Sequence, residues 1–102
     1  MDIKLLRNPS CLFWVEAQKV LINVLRENGV DAIPEVILID TDEKARERKF
    51  FGSPHITING EDIDPMAKKM TNYHVGGCRL YLYEGKVYNY PPPQMILKAL
   101  PG

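Results

Sequence analysis

Two cysteines, Cys11 and Cys78, and two histidines, His55 and His74, are the side chains in this sequence best suited to nucleophilic, redox or soft-metal chemistry. Cys11 follows Asn8-Pro9-Ser10, at a break between an apolar run and an amphipathic one. The first turn of a helix beginning there would favour the thiolate and lower the thiol pKa. Cys11 therefore reads either as a reactive low-pKa thiol or as an inert thiol packed beneath the turn. Cys78 shares its period-two face with Leu80 and Leu82, so it is expected to pack in the core as a small hydrophobe. His55 would serve Cys11 as base or charge partner, or else sit opposite Asp64 across a hairpin. Trp14 would shelter the Cys11 turn, offer a stacking surface or join the core. No C-x-x-C and no paired-histidine spacing is present, so neither a metal site nor a cofactor is implied. A Cys11–Cys78 disulfide, or a soft-metal site joining them to a histidine, stays open without support from the spacing. Both cysteines are expected to be thiols at rest.

The elements that must position these residues alternate along the chain. Ile3 to Leu6 fits a buried strand ended by Asn8-Pro9-Ser10. From Cys11 to Asn28 the apolar residues Phe13, Ala17, Val20, Leu21, Val24 and Leu25 recur at helical steps, and Gly29 is the stop. Val36-Ile37-Leu38-Ile39 reads as a strand covered on both faces in the middle of a sheet. Asp40-Thr41-Asp42-Glu43 caps a second helix reaching about Phe50. His55 to Ile58 and Glu61 to Ile63 flank Asn59-Gly60 and form a tight hairpin. Asp64-Pro65 caps a helical turn through Met70, and Tyr73 to Gly77 is a loop. Arg79 to Tyr83 and Lys86 to Tyr90 form a second hairpin about Glu84-Gly85. Its residues Tyr81, Tyr83, Tyr88 and Tyr90 share one face, which is either a partner surface or a cover for a neighbouring helix. A last helix follows Pro91-Pro92-Pro93.

A chain of 102 residues with thirteen basic and thirteen acidic side chains has room for one domain and carries no footprint for nucleic acid or an anionic membrane. The opening apolar run breaks at Arg7, too soon for a signal-peptide core or a membrane span, so the expected location is the cytoplasm. The oligomeric state is not legible in the sequence.

The order strand, helix, strand, helix, hairpin, helix resembles the thioredoxin plan. Asn8-Pro9-Ser10-Cys11 falls where thioredoxins carry C-x-x-C, and Gly52-Ser53-Pro54 falls where they place a cis-proline before the third strand. Gly-Ser-Pro-x-Ile-x-Ile-Asn-Gly and the later Cys-Arg-Leu-Tyr are similar to a group of small prokaryotic thioredoxin-like proteins. Some of that group are labelled by similarity to organomercurial-handling proteins. The resemblance implies an α/β thioredoxin fold, a βαβαββ core with an extra hairpin and a central mixed sheet flanked by helices. It also implies a groove lined by Pro9, Ser10, Ser53, Pro54, His55 and Trp14, with the Ser53 backbone free to pair with an extended substrate. Asn8 replaces the first cysteine, the usual nucleophile, so the ordinary dithiol cycle at this turn is expected to be absent. Three readings follow. The first is a protein using the single Cys11 thiol on disulfides, oxidants or soft electrophiles, with a protein or small thiol as partner. The second is a non-catalytic binding module that uses the proline groove. The third is a small metal-handling protein using Cys11 and a histidine.

Overall fold

Strand β1, Ile3–Arg7, organises the molecule because its alternate side chains serve two separate cores. The computed structural model describes all residues from Met1 to Gly102. Ile3 and Leu5 point into the larger cluster, and Leu6 points into a smaller one with Ile39, Ala45 and Phe50. Helix α1, Trp14–Glu27, covers the first face by burying Ala17, Leu21, Val24 and Leu25 on one stripe. Strand β2, Glu35–Leu38, then runs parallel to β1, and helix α2, Asp42–Arg48, lies over the second face.

Strand β3, His55–Ile58, is antiparallel to β1 and turns through Asn59-Gly60 into β4, Glu61–Asp62. Both turn residues have positive φ, 53° and 83°, as a two-residue hairpin of this hand requires. The result is a mixed four-stranded sheet in the order β2-β1-β3-β4. Asp64 accepts the amide hydrogen of Met66 and caps a 3-10 turn at Pro65–Lys69. Strands β5, Tyr81–Tyr83, and β6, Lys86–Tyr88, make a separate hairpin, shorter than the sequence suggests. Helix α3, Pro93–Ala99, places Met95 and Ile96 in the larger core. No helix is long and apolar enough to cross a membrane.

Three expectations change. β2 lies at a sheet edge and not in the middle, and Val36 and Leu38 are 39% and 44% exposed. A continuous apolar run does not encode which strands pair beside it, and here β1 pairs on both sides while β2 pairs on one. α1 starts at Trp14 and not at Cys11, because the Asn8 side chain takes the Cys11 amide hydrogen and holds the preceding residues in a turn. Phe13 is consequently exposed just ahead of the helix. α2 stops at Arg48, where Lys49 adopts the left-handed conformation and turns Phe50 back so that its amide reaches the Ala45 carbonyl. Of the two uses open to the tyrosine face, the structure has the cover: Tyr81 is fully buried, and Tyr83, Tyr88 and Tyr90 pack on the larger core. The opposite face, with Leu80 and Leu82, is exposed.

The Tyr81 hydroxyl donates to the Pro54 carbonyl, which ties the second hairpin to the start of β3. Burial raises this phenol above its ordinary range, so the donor stays protonated. Tyr81→Phe is expected to cost about 1–3 kcal/mol by leaving a buried carbonyl without its partner, measured by urea unfolding.

Candidate functional site

Asn8 is fully buried at the end of β1. Its Oδ1 accepts from the Cys11 amide at 2.9 Å, and its Nδ2 donates to the carbonyls of Val75 at 2.9 Å and Gly77 at 2.8 Å. A single side chain thus links the turn that carries Cys11 to the segment that carries Cys78. That segment lies as a strap across the mouth of the sheet. The His74 amide donates to the Phe50 carbonyl, and the Val75 amide donates to the Asp42 carboxylate at the start of α2.

The strap then pairs with Ser53, which is joined to Pro54 by a cis peptide bond, as the sequence motif predicts. The Ser53 amide donates to the Gly77 carbonyl at 3.2 Å, and the Arg79 amide donates to the Ser53 carbonyl at 2.8 Å. These two bonds flank Cys78 in an isolated parallel bridge. Gly52 makes the approach possible, since a Cβ there would lie 3.2 Å from the Arg79 backbone nitrogen, and its φ is +135°. The expectation of a Ser53 backbone free for a substrate is therefore corrected: both of its polar groups are engaged by the chain's own residues.

Cys11 and Cys78 are joined by a disulfide, with their Cα atoms 5.6 Å apart and a separation of 67 positions in sequence. Two expectations fall here. The cysteines are not free thiols, and Cys78 is not a core residue: it is exposed, while Cys11 is only 2% exposed. The period-two alternation does reach Cys78, but the face it shares with Leu80 and Leu82 is the exposed one, not the core face. Pro9 and Ser10 lie exposed on the turn beside this disulfide. Trp14 is half-buried against the larger core, with the Arg7 guanidinium over its ring at 4.6 Å.

Next to the strap lies a buried charge cluster, most of which sequence reasoning missed. Arg79, 3% exposed, grips Asp62 through two bonds of 2.7 Å, and the guanidinium lies over the rings of Phe51 and Tyr81. The Nε2 of His55 meets the Asp62 carboxylate at 3.1 Å, and its ring stacks on Phe50. Burial pushes the Asp62 carboxyl up, but hydrogen bonds from His55 and Arg79 outweigh it and hold the pKa at about 2. His55 does face the β4 end of the hairpin as the register predicts. Its polar contact, however, is with Asp62, diagonal to the expected Asp64, and it makes no hydrogen bond to Cys11. The signal for Arg79 was available, since the alternation that puts Tyr81 and Tyr83 on one face puts Arg79 there too. The ring of His74 is held by the Gly76 carbonyl at 2.9 Å.

In chemical terms, the site is a disulfide between an exposed cysteine residue and a buried one.

A family model described as a domain of unknown function, DUF2703, matches residues 14–100. The matched stretch holds Ser53, Pro54, His55, Asp62, Cys78 and Arg79, and begins just after Cys11. No curated protein and no solved structure matches the chain.

Proposed function

The chain belongs to the DUF2703 family, and from that footing we propose that it is a thioredoxin-like thiol–disulfide exchange protein whose redox couple is Cys11–Cys78. The observation that carries this reading is the disulfide itself, lying beside Ser53-Pro54 with one cysteine exposed and the other buried. The sheet order β2-β1-β3-β4, with β1 and β2 parallel and β3 antiparallel, supports the thioredoxin plan. Asn8 stands where that plan has its nucleophile, and the strap supplies a cysteine from the other side of the cleft. In the cytoplasm, a paired disulfide is more often a working couple than a structural staple.

The cycle balances as follows. In the reduced protein the Cys78 thiolate attacks a disulfide R–S–S–R′, forming Cys78–S–S–R and expelling R′S⁻. The Cys11 thiolate then attacks the Cys78 sulfur, closes Cys11–Cys78 and releases RS⁻. The protein loses two electrons and the substrate gains them. A second thiol pair, from another protein or a small thiol, returns the couple to its reduced form. The groove-only binding reading is disfavoured because the Ser53 backbone is already occupied.

Reacting the reduced protein with glutathione disulfide and following intact mass tests the assignment. Wild type is expected to pass through a transient adduct to the internal disulfide, Cys11→Ser to stop at a lasting adduct on Cys78, and Cys78→Ser to react slowly because Cys11 is buried. A persistent adduct on wild type, or faster reaction at Cys11 than at Cys78, would overturn it.

A further inference from the structure

We infer that Asn8 is a positioning residue, whose carboxamide clamps the Cys78 strap onto the Cys11 turn and sets the effective concentration at which the two sulfurs pair. The inference rests on the exchange reading above and extends it to what makes the couple close. An amide has two donors and an acceptor with two lone pairs, and at Asn8 both donors and the acceptor oxygen are engaged. The acceptor side holds the backbone of Cys11 itself. The donor side holds Gly77, the residue before Cys78, and Val75. No other side chain bonds to both cysteine-bearing segments, and Asn8 does so while fully buried, where each bond counts for more than on the surface.

The two glycines in the strap, Gly76 and Gly77, explain why a clamp is needed. Glycine leaves the backbone many conformations when untethered, so without a fixed contact the Cys78 sulfur would spread over many positions. Holding a reacting group near its partner turns an improbable encounter into a local one. Cysteine at position 8 would have one weak donor and could not hold both carbonyls. The residue that removes the usual nucleophile from the turn is therefore the same one that recruits a replacement from residue 78.

The test compares the equilibrium constant for Cys11–Cys78 formation against dithiothreitol in wild type, Asn8→Ala and Asn8→Asp. Asn8→Asp keeps the shape and the acceptor to the Cys11 amide but loses both donors. Both variants are expected to lower that constant about 10- to 100-fold, as the loss of two partly buried hydrogen bonds, and in Asn8→Ala of a third that is buried, implies. Val24→Ala, a truncation in the larger core, is expected to lower stability and leave the constant unchanged, which separates positioning from general weakening. A constant equal to wild type in a folded Asn8→Asp protein would overturn the inference. A wild type that never forms the disulfide would overturn the exchange reading beneath it. Amide hydrogen exchange in Cys78→Ser supplies a check without altering position 8. The Cys11 and Ser53 amides should stay protected if the clamp holds the strap unaided, and free exchange at both would contradict it.

Discussion

Cys78→Ser is expected to lower the unfolding free energy of the oxidised protein by about 4 kcal/mol, the loop-closure value for a cross-link that spans 67 residues. The disulfide joins the turn before α1 to the segment before β5, so its loop encloses three of the four sheet strands together with α1 and α2. Its removal leaves the folded contacts of the strap in place and enlarges the ensemble of the unfolded chain. Urea unfolding of wild type with and without excess dithiothreitol should show the same difference, and reductant should then have no effect on Cys78→Ser. Superimposable curves for oxidised and reduced wild type would show that the cysteines are not paired in solution.

The second large effect belongs to Arg79. Replacing it with Met leaves the partly buried Asp62 beside His55 without its bidentate partner, and breaking such a pair costs about 3 kcal/mol, the low end of the range for a buried one. Acid separates this from simple packing loss. With a folded pKa of about 2 against an ordinary 3.8, Asp62 contributes stability that is fully present above pH 4 to 5. That contribution, about 2 kcal/mol, is lost as pH falls through the folded pKa. In Arg79→Met the carboxyl pKa should rise, so the loss from this group on acidification should shrink or change sign. Urea midpoints measured between pH 6 and pH 2.5 give the comparison. An unchanged acid slope in the variant would show that Arg79 is not what holds Asp62 charged.

Local chemistry was legible in the sequence wherever one or two residues decide it. Asn59-Gly60 and Glu84-Gly85 both turn through positive φ, and the capping function of Thr41 and Asp64 is made by their own side chains. The helical stripe of Ala17, Leu21, Val24 and Leu25 could be read from spacing because burial follows the helical period. Relations between distant segments could not be read. Whether Val36 to Ile39 is central or marginal depends on which strand β1 pairs with on its other side, and nothing in the run itself encodes that. The largest misreading, Cys78 as core, lies in the choice of face. Cys78 does share a face with Leu80 and Leu82, but the hairpin turns its tyrosine face inward and leaves that one exposed, while contacts with Ser53, Asn8 and Asp42, 25 or more positions away, hold the strap. Asn8 looked like a loss because its type was compared with cysteine. Its three hydrogen bonds become visible only when the strap is in place.

Equilibrating the protein in dithiothreitol buffers of graded potential, trapping with an alkylating reagent and counting labels by mass addresses the paired cysteines directly. Species with two labels and with none should interconvert in one two-electron transition, with no singly labelled form accumulating. Two labels at every potential, or two independent one-label steps, would mean that Cys11 and Cys78 do not act together.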